Sequence, residues 1–181
     1  MSIVLVGSTS GSCTLQEQAV AGTTVLTLPA VSGTILTTTS PKAGNVIQVV
    51  QGTYSTQVTT SAGPVDTGLS ASITPTSSSS KILVLVAQNL YLYNGGNDSG
   101  VIFDLFRGST KILAGNGQSV YIQGTSAAPE LILNWCTNYL DSPATTSSTT
   151  YKTQMTAASG GTVSANWSSN NSTITLLEIA A

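Results

Sequence analysis

The sequence predicts an all-β protein: a jelly-roll-like antiparallel β-sandwich preceded by an extended β arm. Three observations predict it. Helical patterning is nearly absent, with no window of about a dozen residues repeating apolar positions at i, i+3 and i+4 between good caps. Short β-branched and aromatic runs instead follow one another, separated by clusters of Gly, Pro, Asn and Ser. Only 7% of the 181 residues are charged while 40% are apolar, so the solvent faces of these strands must be built from Ser and Thr hydroxyls instead of ions.

Residues 1–42 are expected to be an arm. After Ile3–Val6, strands are predicted near Ser12–Val20, Thr23–Leu28 and Gly33–Thr38. The stretch AGTTVLTLPAVSGTIL, residues 21–36, carries no charge and is too short to bury a core of its own. Its apolar residues Val25, Leu26, Leu28, Ile35 and Leu36 therefore predict partners from outside the segment. Ser40-Pro41-Lys42-Ala43-Gly44 breaks the pattern, and a head domain is expected over 45–181.

Within the head the predicted strands are NVIQVVQG, YSTQVTT, LSASITP, KILVLVAQNLYLY, SGVIFDLFRG, TKILAG, SVYIQG, ELILNWCTNYL, TTYKTQMT, TVSANW and STITLLEIA. Asn94-Gly95-Gly96-Asn97, Arg107-Gly108-Ser109 and Ser159-Gly160-Gly161 are among the turns between them. In Gly100–Arg107 both faces are largely apolar, which places this strand between the core and another surface. The last strand, Ser172–Ala181, is apolar enough that it must pair, either inside its own sheet or across a subunit contact.

Composition excludes several classes. Five basic residues, Lys42, Lys81, Arg107, Lys111 and Lys152, are scattered and form no stripe for nucleic acid. No apolar run approaches the roughly 18–20 residues of a membrane helix, and residues 1–7 lack the pattern of a secretion signal. Histidine is absent, the seven acids are dispersed, and no phosphate loop, dinucleotide fingerprint or metal-ligand cluster occurs. No enzyme activity, cofactor or metal is expected. Cys13 and Cys136 stand in strand-like contexts and are expected to be buried free thiols. Among the aromatics, Trp135 is expected in the core, and Tyr91, Tyr93, Phe103 and Phe106 at a subunit seam, where Tyr offers apolar area with one polar end. The competing use for exposed rings is stacking on a sugar, for which Tyr121 and Trp167 are the candidates.

Three passages carry a family likeness. GSTSGSCTLQEQAVAGTTVLTLPAVSGTIL (7–36) is similar to N-terminal and repeat segments of tailed-phage structural proteins. GNVIQVVQGTYSTQVTT (44–60) with GLSASITPTSSSSKILVLV (68–86) resembles the start of the C-terminal β domain of phage fibre and virion-surface proteins, and STITLLEIAA (172–181) its last strand. The short FRGST at 106–110 fits the same pattern. The resemblance implies a homotrimer made in the host cytoplasm and placed on the virion surface. Long fibres repeat the first motif many times or carry a stalk, whereas here one copy precedes the head. That departure favours a capsid decoration (cement) protein or short head fibre bound to the major capsid protein through residues 1–42. A receptor-binding short tail fibre or spike, attached to a tail or baseplate protein and recognising a host glycan, is the alternative.

Overall fold

From Val46 onward, every segment that alternates apolar with hydroxyl-bearing side chains is a strand. A computed structural model describes residues 3–6, 12–15, 42–115, 117–126 and 129–181. The chain divides into two compact units, 1–35 and 36–181. In the first, β1 (Ile3–Val6) pairs antiparallel with β2 (Ser12–Leu15), Ile3 opposite Leu15 and Val6 opposite Ser12. The strands expected at Thr23–Leu28 and Gly33–Thr38, with Val25, Leu26, Leu28, Ile35 and Leu36, lie outside the described residues.

The second unit contains β3 (Val46–Tyr54), β4 (Val58–Thr60), β5 (Val65–Ile73), β6 (Lys81–Tyr93), β7 (Ser99–Arg107), β8 (Thr110–Leu113), β9 (Val120–Ile122), β10 (Glu130–Asp141), β11 (Thr149–Ala158), β12 (Thr162–Ala165) and β13 (Ser172–Ile179). They form two antiparallel sheets. In the six-stranded sheet, β10 pairs with one edge of β6 along its length, from Glu130 opposite Tyr93 to Asp141 opposite Ile82. The other edge of β6 is shared: β13 takes Lys81–Ala87 and β12 takes Leu90–Tyr93, with β3 beyond β13 and β4 beyond β12. The five-stranded sheet runs β5-β11-β7, and β8 and β9 share the far edge of β7. The long strands thus stand in the order β3-β13-β6-β10 over β5-β11-β7-β8, which is the paired Greek-key order of a jelly roll. The last strand, β13, is paired on both edges inside its own sheet.

Alternation along β6 sends Ile82, Val84, Val86, Leu90 and Leu92 inward, and the core separates into two apolar clusters. One gathers Leu69, Ile73, Ile82, Val84, Leu105, Tyr151, Ile174 and Leu176. The other gathers Leu90, Leu92, Val101, Phe103, Met155 and Val163. Trp135 packs against both, as expected of a core residue, and stacks on Phe103 with centroids 4.8 Å apart. Phe103, expected at a seam, is 1% exposed: the inward phase of β7 makes it core.

Between the clusters lies a buried polar layer. Gln88 Nε2 donates to Asn166 Oδ1 (2.9 Å) and Ser172 Oγ (2.7 Å), and its Oε1 accepts from Thr153 Oγ1 (3.0 Å). Thr153 Oγ1 is in turn 2.5 Å from Thr67 Oγ1. Asn166 Nδ2 donates to the carbonyls of Thr56 (2.9 Å) and Thr67 (3.0 Å), and Ser172 Oγ accepts from the Asn89 amide (2.9 Å). Thr67 shares the inward phase of Leu69, Ala71 and Ile73; beside it β5 bulges at Gly68, whose φ of +85° suits glycine and where a Cβ would collide with the Tyr54 ring.

Charged groups close one end of the sandwich, where Asp141 and Glu178 stand on either side of Ile82. Arg107 Nη1 lies 2.9 Å from both oxygens of Asp141, which also accepts from Tyr151 Oη at 2.7 Å. Burial, then the Asp141 carboxylate, pushes the Tyr151 phenol far up. Glu178 points inward from β13 and accepts from the amide and hydroxyl of Thr76, both at 2.7 Å. Burial is the largest single influence and pushes its carboxyl up, but the hydrogen bonds from Thr76, Ser80 and Ser77 together outweigh it and the net shift is down.

Gln88→Met keeps volume but strips three hydrogen bonds from buried partners. It should lower stability by about 2–4 kcal/mol, read as a fall in urea midpoint at constant slope. Glu178, with its folded pKa depressed, contributes stability that is complete above the unfolded value near 4.5 and is lost as pH falls through the lower folded value. Glu178→Gln should therefore flatten the acid limb of the stability-against-pH curve in denaturation series below about pH 5.

Candidate functional site: the outer face of the six-stranded sheet

The alternation that buries Ile82 and Val84 turns Leu83, Leu85, Ala87, Asn89, Tyr91 and Tyr93 outward. Strand register sets them in rows. Leu140, Leu83, Leu177 and Val49 form one apolar row across β10, β6, β13 and β3, its ends Leu140 and Val49 being 51% and 59% exposed. The next row is Asn138, Leu85, Thr175 and Gln51, with Gln51 Nε2 donating to Thr175 Oγ1 at 3.0 Å. Cys136, Ala87, Thr173 and Thr53 follow. Farther along, Asn134 faces Asn89, and Ile132, Tyr91, Ser164 and Thr59 share a row in which the two hydroxyls meet at 2.8 Å. Between Lys81 and Glu130, at its two ends, these rows contain no charged residue.

Trp167 sits on this face. Its ring stacks on Tyr91 with centroids 3.9 Å apart and planes 11° from parallel. It begins the short 3₁₀ turn Trp167–Ser169, in which Ser168 and Ser169, and the preceding Asn166, hold positive φ of 54°, 59° and 56°. Left-handed backbone at non-glycine residues costs about 1–3 kcal/mol each, so the surroundings must enforce it. Asn166 is enforced by its bonds to Gln88, Thr56 and Thr67. The layer that joins the core clusters thereby also places Trp167. Burial, then the Glu130 carboxylate, raises the Tyr91 phenol pKa.

The other sequence candidates lie elsewhere. Phe106 projects from the opposite sheet, with the Lys111 ammonium 5.8 Å from its ring centroid. Tyr121 is on that sheet too, opposite Gly100, and its hydroxyl bonds Asp98. The Gly124 amide, 2.9 Å away, and then that hydroxyl lower the Asp98 pKa. The predicted seam therefore divides: Tyr91 and Tyr93 share the outer face, Phe103 is core and Phe106 faces away. Tyr121 and Trp167, paired as sugar contacts, belong to different sheets. Cys136 is a correction: it is a free, exposed thiol, because its even position on β10 points outward. The Cys13 side chain lies outside the described residues. The row Leu140–Leu83–Leu177–Val49 escaped sequence reading, since its members come from four strands whose adjacency only the register reveals.

Two further acids have structural partners. Asp66 binds Lys152 (2.9 Å) and Gln154 (2.8 Å), and Asp104 binds Lys111 and the Gly115 amide. Among the described residues no group of three or more His, Cys, Asp or Glu could hold a metal ion.

No protein-family model matches the sequence, and no curated protein matches it. Among solved structures, one of infectious bursal disease virus Gt strain is similar at 11% identity and TM-score 0.38, covering 98% of this chain and 46% of that chain. A mutant VP2 protein of infectious bursal disease virus, in derived T=1 particles, is similar at 11% identity and TM-score 0.37, covering 98% and 44%. The virus-like particle of the extra small virus of the giant freshwater prawn Macrobrachium rosenbergii is similar at 11% identity and TM-score 0.21, covering 90% and 94%. The chain spans less than half the length of the two bursal disease virus chains. The jelly-roll assignment here rests on strand order alone.

Trp167→Ala should remove the stacked pair and lower stability by about 1 kcal/mol beyond the loss of buried area. Near-ultraviolet circular dichroism should lose the Trp–Tyr signal while the far-ultraviolet β spectrum stays unchanged.

Proposed function

We propose that this chain is a non-enzymatic virion structural protein that assembles as a homotrimer on the particle surface and reinforces the capsid shell. The observation that carries this reading is the uncharged outer face with its open apolar row, Leu140–Leu83–Leu177–Val49. Such a face gains stability when covered, and sister copies supply the matching chemistry. Tyr91 and Tyr93 belong to the same seam. Support also comes from the jelly-roll order, an architecture used by viral capsid and lectin domains, though shared fold is analogy and not mechanism. The likeness of residues 7–36, 44–60, 68–86 and 172–181 to phage virion proteins adds to it.

In this reading residues 1–42 anchor the protein to the major capsid protein. Val25, Leu26, Leu28, Ile35 and Leu36 fill pockets on the shell while backbone bonds add strands to its sheets. Three arms per trimer multiply the attachment without new kinds of contact. The work is mechanical: each bridge between capsid subunits adds buried interface that resists the pressure of packed DNA.

Trp167 favours a second reading. A ring fixed by strained backbone on an open face suits stacking on a sugar, as in a receptor-binding short tail fibre or spike.

Gold-labelled antibodies against residues 45–181 should decorate the head of intact virions, and sedimentation equilibrium should return three times 18.4 kDa or a multiple of it. Particles lacking the protein should rupture at lower osmotic stress. Label confined to the tail, with host-polysaccharide binding abolished by Trp167→Ala, would instead establish the second reading.

A further inference from the structure

A sheet edge presents unpaired backbone amides and carbonyls, and proteins that stay monomeric protect such edges with short strands, bulges, charge or proline. Most edges of this sandwich are protected in that way. The edge strands β4 and β9 have three residues each. β3 breaks register opposite Glu178 and Ile179, β5 bulges at Gly68 and carries Asp66, and β8 carries Lys111 beside a register break. β10 has none of these devices. Among the described residues it pairs with β6 alone, through 12 consecutive residues without a register shift, and it contains neither proline nor lysine. Its charges are confined to the ends, Glu130 and Asp141, and Asp141 is turned inward onto Arg107 and Tyr151.

We infer that β10 is a docking edge for β10 of a second copy of this chain, paired antiparallel about a two-fold axis that passes by Cys136. Side-chain chemistry selects both partner and register. Only an even offset keeps the outer faces of both sheets on the same side, since a one-residue slip would turn every core residue outward. With Cys136 opposite Cys136, Ile132 stands opposite Leu140 of the second copy, Asn134 opposite Asn138, and Glu130 opposite Ser142. On the inner side Leu133 meets Tyr139 and Trp135 meets Thr137. Ile132 is 56% exposed and Leu140 51%, the two most open large apolar side chains of the strand, and this register joins them directly. Moving the centre to Trp135 sets Glu130 against Leu140 and Ile132 against Asn138. Moving it to Thr137 sets Asn134 against Leu140. Both lose the apolar pair. A contact in which the same patch serves both partners is isologous, so it closes at two copies and grows no fibre.

This inference goes beyond the trimer proposed above and is independent of it. A factor of three in assembly mass reports the seam, and a factor of two reports this edge. Cysteines supply the test, because residues opposite one another in an antiparallel pair have Cα atoms about 4.5 or 5.5 Å apart, within disulfide range. In a Cys13→Ser background, mild oxidation should give a covalent dimer through Cys136. Adding Cys136→Ser should abolish it, and further adding Asn134→Cys with Asn138→Cys should restore it. Asn134→Cys without Asn138→Cys should cross-link roughly tenfold slower or not at all, because its own counterpart is four residues away along the strand. Cys136→Lys, which sets two ammonium groups face to face, should halve the sedimentation mass and leave the melting temperature of the fold unchanged. The inference is overturned if Asn134→Cys alone cross-links as fast as Cys136, or if Cys136→Lys leaves the mass as it was.

Discussion

The hydrogen-bonded layer around Gln88 is the constraint on which the rest of this structure depends. β6 is long enough to run the height of the sandwich, yet its neighbour on one side changes from β13 to β12 halfway along. A junction of that kind leaves backbone and side-chain polar groups inside the core, where each unpaired one costs about 1–3 kcal/mol. Gln88, Asn166, Ser172, Thr153 and Thr67 satisfy one another at that height. Because every member is donor or acceptor to another, the layer rigidifies the core and specifies which strands meet there. It also holds Asn166 left-handed and so sets Trp167 on Tyr91, linking the interior to the outer face.

Scarcity of charge is the second organising fact. Hydroxyls and amides share the solvent sides of β5 and β11, with Ser70, Ser72, Thr150, Gln154 and Thr156, while Arg107, Asp141 and Glu178 close one end of the sandwich. With a net charge of −2, little long-range repulsion keeps copies apart. The same economy leaves the outer face of the six-stranded sheet neutral and the β10 edge unguarded. Both are liabilities for a monomer and assets for a subunit. Charge is concentrated where it holds strands, as between Arg107 and Asp141, instead of where it would keep neighbours away.

Sequence reading recovered the elements well and the surfaces poorly. KILVLVAQNLYLY is β6 from its first residue to its last, because aliphatic and aromatic residues fill it and the turn signals Ser77–Ser80 and Asn94-Gly95 bound it. Trp135 was legible as core from the apolar run around it. Phe103 and Phe106 were read together as seam residues, but they are three apart on a strand and so face opposite ways, one into the core and one toward Lys111. Cys136 was read as buried because an unpaired cysteine in a strand-like context behaves as a small hydrophobe. In a strand with one covered face, position parity decides exposure and local hydropathy does not.

By itself the sequence determined the fold class, most strand segments between Val46 and Ile179, and the scarcity of charge and of histidine. These follow from local composition and from periods of two residues, which need no knowledge of partners. Only the tertiary structure decided the order β3-β13-β6-β10 over β5-β11-β7-β8, the union of Gln88 with Asn166, Ser172, Thr153 and Thr67, and the apolar row from Leu140 to Val49. Each depends on register between strands far apart in the chain, as where Leu177 of β13 stands opposite Val49 of β3, 128 positions away.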